Sequence, residues 1–228
     1  MVVDSLSFPT KGDDGLVRSI IGGALILAGT VIPIIPQLLL YGYSLQAMRA
    51  GATGDPRAPE FDDWGDLFKD GLKVFVVVFV FTLVPMVLLV GVAVFGGFAL
   101  SFGTAAGGAT GAESAAAAGS GLGALVFLGL MGVAGIVSLA IFYVVPAALV
   151  GVATEDDIGA AFDFGSVKQI AFTGDYLVAF VVAGIVSTVG SMLALPLMFL
   201  LVGFPLLFIL QAGLAHYFGR VARDVATY

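Results

Sequence analysis

The charged residues of this chain are confined to short zones, and the runs between them are too long and too apolar for a fold surrounded by water. Residues 19–48, 74–112, 114–154 and 176–219 contain no Asp, Glu, Lys or Arg, giving runs of 30, 39, 41 and 44 residues. A helix needs about 20 apolar residues to cross a hydrocarbon core about 30 Å thick. Every run therefore reaches at least one crossing, and the last reaches two. Hydrophobic residues make up 60% of the 228 residues and charged residues 11%, against about 45–50% and about 25% in an ordinary soluble domain. So little polar material cannot cover a soluble surface without leaving apolar patches exposed. The expected fold is all-α: a polytopic transmembrane helical bundle of five or six membrane segments, with one or two cytoplasmic-side amphipathic helices, as a single membrane domain over residues 1–228.

Breakers and polar insertions divide the chain. Residues 16–51 form the first apolar region. As one helix, its uncharged part would be about 45 Å long at 1.5 Å per residue, which is long for one crossing. Pro33 and Pro36 (IPIIP) predict a break near Ile32–Pro36. The region is thus either kinked or a re-entrant hairpin. Residues 60–73 (EFDDWGDLFKDGLK) read as an interfacial amphipathic helix. Phe61, Trp64, Leu67, Phe68 and Leu72 fall on one face, and Asp62, Asp63, Asp66, Lys69, Asp70 and Lys73 on the other. Spans are expected at 74–98, 122–150, 176–195 and 197–218, the last two turning near Leu195–Pro196, with a flexible Gly/Ala linker at 101–121. A second polar segment covers 154–171, with Thr154 and Asp157 as a capping pair.

Lys and Arg set the orientation. Four lie in the 49–73 loop, one in the 155–175 loop and two near the C-terminus, and none lies in the glycine-rich linker or the last turn. This pattern predicts a multi-pass protein of the cell (cytoplasmic) membrane, with both amphipathic loops and the C-terminus cytoplasmic. A hairpin at 16–51 keeps Lys11 and Arg18 on that side too, whereas a single crossing does not; the hairpin is favoured. The net charge of −7 disfavours nucleic acid as a partner. It suits a very saline cytoplasm, where screening is strong. Membrane lipids are the expected partners, with a second membrane protein or a homo-oligomer beside them.

The ordered features LVRSIIGGALILAG, YGYSLQAMRAG and RAPEFDDWGDLFKDGLK resemble the archaeal and bacterial membrane family of domain of unknown function 4013. Its pattern falls on Ile21, Gly22 and Gly23, on Gly42, Tyr43 and Arg49, and on the block from Pro59 to Gly71. The likeness is specific over about residues 16–75 and topological beyond. The acidic composition resembles the haloarchaeal members, so a halophilic archaeon is the implied source. The resemblance implies a multispanning membrane protein and no activity.

The motif candidates are Gly42, Tyr43, Arg49, Pro59, Phe61, Asp62, Asp63, Trp64, Leu67, Phe68 and Gly71. Asp62, Asp63, Asp66 and Asp70 offer carboxylates to a hard cation, but helical carboxylates at this spacing diverge, and hydrated acids beside an aromatic anchor are favoured. Asp62 is also placed to cap its helix; Tyr43 and Arg49 read first as headgroup anchors, with a pairing of Arg49 to an acid of the 60–70 helix as the alternative. His216, the one histidine, is expected at the cytoplasmic interface. There is no cysteine, and no catalytic, cofactor or metal constellation is found; the chain is not expected to be an enzyme. No ionisable group lies in the middle of a span, where coupled transporters usually carry one. A structural, accessory or scaffold role is the leading reading. The alternative is a small permease or lipid-handling protein. That alternative requires a continuous cavity between spans, lined by Ser187, Thr188, Ser191 or Gln211.

Overall fold

The computed structural model describes residues 1–98, 101 and 113–226. Among the described residues every regular element is helical: α1 (Val2–Leu6), α2 (Gly15–Gly29), α3 (Ile34–Thr53), α4 (Trp64–Gly91), α5 (Glu113–Glu155), α6 (Phe164–Ala171), α7 (Gly174–Leu197) and α8 (Gly203–Ala226). A π-helical stretch, Val92–Gly96, prolongs α4, and single 3-10 turns occupy Phe8–Thr10, Ile158–Phe162 and Met198–Leu200. Three helices, Trp64–Gly96, Gly123–Glu155 and Gly174–Leu200, are long and apolar enough to cross a membrane.

The chain divides into two compact units. One comprises Met1–Val78 with Tyr143–Tyr228, and the other Phe79–Phe142. In the first unit α3 is the central strut. Residues 16–51 are two separate helices that pack on each other, the break falling at Thr30–Pro33 rather than through Pro36. Pro36 sits in the first turn of α3, where a missing N–H removes no intrahelical bond. Glycines let α3 approach its neighbours at backbone distance. A Cβ on Gly42 would strike the Leu67 carbonyl of α4, and one on Gly71 the Leu38 carbonyl of α3. At the other end of α3, Gly51 lies against the His216 carbonyl of α8 and Gly219 against that of Met48. Close approach at small residues is the usual way apolar helices gain contact where no water is available to drive them together.

Several expected boundaries move. There is no separate helix at 60–73, because α4 starts at Trp64 and runs unbroken into the apolar segment. Of the linker expected at 101–121, residues 102–112 lie outside the described residues, and 113–121 belong to α5. Alanine dominates that stretch, and alanine has the highest helix propensity. The last turn falls at Met198–Val202, not Leu195–Pro196. Gly203 seats the start of α8 directly against the Ala194 carbonyl of α7, and Pro205 occupies the first turn of α8, where proline is tolerated. Thr154 and Asp157 form no cap. The Thr154 hydroxyl donates back to the Val150 and Gly151 carbonyls, inside α5. On the other flank, α5 and α7 are tied by the Tyr176 hydroxyl, which donates to the Tyr143 carbonyl at 2.8 Å.

Candidate functional site

The motif residues of α3 and α4 divide among an aromatic stack, an ion cluster and a helix start. Asp63, not Asp62, caps α4: its carboxylate accepts from the Asp66 N–H at 3.0 Å, and its carbonyl accepts from Leu67 at 3.0 Å. Such a cap fills one of the free donors at a helix start. The short 160s helix begins the same way, with Asp163 accepting from the Gly165 N–H at 3.0 Å and the Ser166 hydroxyl at 2.6 Å. Asp63-Trp64-Gly65 and Asp163-Phe164-Gly165 are thus the same local device.

The two-faced reading of residues 60–73 needs correction. Leu67, Asp70, Gly71 and Val74 point inward, while Trp64, Phe68 and Leu72 are exposed together. At 100° per residue, 67, 70, 71 and 74 share one face and 64, 68 and 72 another. The helix has three sides: one packed, one aromatic and apolar facing outward, and one bearing Asp66 and Lys69, which pair at 2.8 Å. A helix with one packed side, one exposed apolar side and one exposed charged side carries three stripes, and a two-way split by polarity merges the first two.

Above the cap, Phe61 stacks on Tyr43 with centroids 4.9 Å apart and on Trp64 at 5.7 Å; Tyr43 also meets Phe208 of α8 at 4.8 Å. This column joins Tyr43 of α3 and Phe208 of α8 to the buried Phe61, just before α4, and through it to the exposed Trp64 at the start of α4. Below it lies the ion cluster. Arg49 Nη1 is 3.3 Å from Asp70 Oδ2, Nη2 is 2.7 Å from Asp156 Oδ1, and Nε donates to the Ala153 carbonyl at 2.8 Å. Lys73 Nζ reaches Asp156 at 2.7 Å and Asp70 at 3.3 Å, and Gln46 donates to Asp70 at 3.1 Å. The cluster therefore fastens α3, α4 and the end of α5 together. The hydrogen bond from Lys73, with the nearby Arg49 charge, holds the Asp156 carboxyl below the usual carboxylate range.

The four acids once grouped as cation ligands go to different duties: Asp63 caps, Asp66 pairs with Lys69, Asp70 enters the ion cluster, and Asp62 stands beside Arg18. Pro59 borders a shallow depression that also touches Arg49 and Arg57. His216 is buried, its ring stacked on Phe8 at 3.8 Å. Sequence reasoning missed Asp156 and the buried Arg18. Asp156 follows α5, the longest helix among the described residues, and adopts φ +59°, a conformation in which Asp is enriched among non-glycine residues. In the sequence it stands only as one of three consecutive acids, Glu155-Asp156-Asp157, after a charge-free run.

A cleft of about 500 Å³ lies between helices of the first unit. Its walls are mostly apolar: Ile26 of α2, Leu40 and Met48 of α3, Val74 of α4, Leu149 of α5, and Leu207, Leu210 and Leu214 of α8. Polar groups enter at Gln37, Ser44, Ser187, Ser191 and Gln211. Gln211 donates to the Ser44 hydroxyl at 3.3 Å. Thr188 lies in a separate depression, and its hydroxyl donates to the Gly184 carbonyl at 2.8 Å.

An all-helical chain with three helices of membrane-crossing length and a cleft between packed helices defines a class, that of helical proteins compatible with a membrane location. Within it, the chain belongs to the family described as protein of unknown function DUF4013, which matches residues 25–202. That match includes Gly42, Tyr43, Arg49 and the whole 59–71 block and starts after Ile21-Gly22-Gly23. No curated protein and no solved structure matches the chain.

Proposed function

We propose that this protein is a lipid-handling component of the cytoplasmic membrane that holds a hydrocarbon chain in the cleft between α2, α3, α7 and α8. The observation that carries the reading is the cleft itself: continuous, apolar, and lined by Ser187, Ser191 and Gln211. Its volume is in the range of about 300–1,000 Å³ usual for ligand sites. An apolar occupant needs no intramembrane charge, which fits the charge-free runs. In this reading α4, α5, α7 and α8 cross the bilayer, and α2 with α3 forms a hairpin from the cytoplasmic side, giving five or six membrane segments. The ion cluster then sits at the cytoplasmic boundary, in keeping with the distribution of Lys and Arg. The acidic composition fits a salt-rich cytoplasm such as that of a halophilic archaeon.

The test is purification in native-lipid particles followed by mass spectrometry of retained lipid, comparing wild type with Ser191→Trp, which fills the cleft. Retained lipid per protein is expected to fall by at least half in the variant. Equal retention, together with a second protein held at fixed stoichiometry, refutes lipid handling and favours the accessory or scaffold role.

A further inference from the structure

Arg18, on the first turn of α2, is only 6% exposed, yet half of its guanidinium is unused. Nη1 donates to the carbonyls of Pro9 at 2.9 Å and Lys11 at 3.1 Å. Nε is buried with no hydrogen-bond partner among the described residues. Nη2 has only the Glu60 carboxylate, at 3.9 Å, beyond hydrogen-bond reach. Nη2 is thus a charged donor without a hydrogen bond, of the kind that takes a carboxylate or phosphate oxygen. The Tyr43 hydroxyl is also buried without a partner, and Arg18 and Glu60 are the charged groups that act on it. Buried polar groups are nearly always satisfied, and these two lie by the same Glu60 carboxylate.

A cavity of about 260 Å³ opens against Arg18, with Asp14, Glu60 and Asp62 as its other polar walls and Phe61 as an apolar one. Asp14 and Asp62 are exposed and enter no ion pair among the described residues. An anion alone would meet three carboxylates. A cation alone would leave the guanidinium without a hydrogen bond on that side. We propose that this cavity binds a zwitterion, its anionic group on Nη2 of Arg18 and its primary ammonium on the carboxylates of Asp14 and Asp62. None of these residues lines the hydrocarbon cleft, so the site stands independently of the lipid-handling reading. The same chemistry occurs in an aminophospholipid headgroup and in a small soluble amino compound.

Trp64 is the single tryptophan and stacks on Phe61, a wall of the cavity, so its emission reports occupancy. The full chain in phosphatidylglycerol nanodiscs is titrated with phosphoethanolamine, with ethylamine and inorganic phosphate as half-ligands. A saturable change is expected with phosphoethanolamine, at least about tenfold weaker with either half-ligand, and weakened about tenfold in Asp62→Asn, an exposed position whose variant keeps the fold. Phosphatidylethanolamine nanodiscs distinguish the sources. A spectrum already shifted, with no further response, assigns the site to a lipid headgroup, whereas an unchanged titration assigns it to a soluble zwitterion. The proposal is overturned by identical spectra and no saturable response in both lipids, by equal affinity for either half-ligand, or by unaltered affinity in Asp62→Asn.

Discussion

Arg49 holds two acids at once, and the two contacts rank oppositely by distance and by burial. The contact with Asp156 is 0.6 Å shorter, 2.7 against 3.3 Å, but the Asp156 side chain is 66% exposed while that of Asp70 is 9% exposed. Coulomb energy varies as the inverse of distance, so the shorter contact gains about a fifth. The effective dielectric constant falls from about 80 in water to about 20 near or within protein, a change of about fourfold. Burial therefore decides, and the longer pair is the stronger one. Exposed pairs measure about 0.2–1 kcal/mol in double-mutant cycles, and hydrogen bonds to charged groups in shielded sites about 1.5–3 kcal/mol. The coupling between Arg49→Met and Asp70→Asn is expected at about 1–2 kcal/mol, and that between Arg49→Met and Asp156→Asn at about 0.5 kcal/mol or less. Reversible unfolding in mixed detergent micelles, followed by circular dichroism, supplies both cycles. Raising salt to about 1 M, where the screening length is about 3 Å, should erase the Asp156 coupling and leave most of the other. A larger coupling to Asp156, or equal salt sensitivity of the two, would refute the argument that burial outweighs distance.

Gly42→Val forces a branched side chain into the Leu67 carbonyl and is expected to destabilise by about 3 kcal/mol or more, at the upper end of overpacking costs; Gly129→Val, a helical glycine with open space around it, serves as the control in the same melts. The lowered Asp156 carboxyl contributes stability that is present above the unfolded carboxylate value and is lost as pH falls through the folded one. The stability difference between wild type and Asp156→Asn should therefore shrink on acidification below about pH 4, and a difference independent of pH would show that the ion pair contributes nothing. Trp64, exposed in line with Phe68 and Leu72, should be quenched by lipids brominated near the headgroup and much less by lipids brominated at the chain end; the reverse order would refute a boundary position for the start of α4.

The sequence discloses the helices more readily than their contacts. Charge-free runs mark the long apolar helices, whose exposed positions are themselves largely apolar. Pro33 marks a real break, while Pro36 and Pro196 mislead, because a proline within the first or last turn leaves the helix intact. The motif residues are visible as a block, but their duties are not. Gly42 and Gly71 meet across thirty positions of sequence, and only the crossing of α3 and α4 explains both. Arg49 pairs with an acid of the 60–70 helix, as its charge suggests, while Asp156 is more than a hundred positions away and joins the same cluster. Arg18 reads as an orientation signal in one dimension and becomes a buried, half-satisfied cation in three.

The placement of α3 has a consequence for biogenesis. One of its flanks is completed by α4, a short distance along the chain, while the other is completed by α8, made more than 140 positions later. During synthesis the backbone pads at Gly51 and Gly219 remain apart until α8 emerges. A partly made chain thus carries an unsealed seam, and closing it is a late, long-range step of the kind that slows assembly. Ribosome-stalled chains ending before Gly203 should be open to protease at the α3–α4 loop, and chains carrying α8 should not.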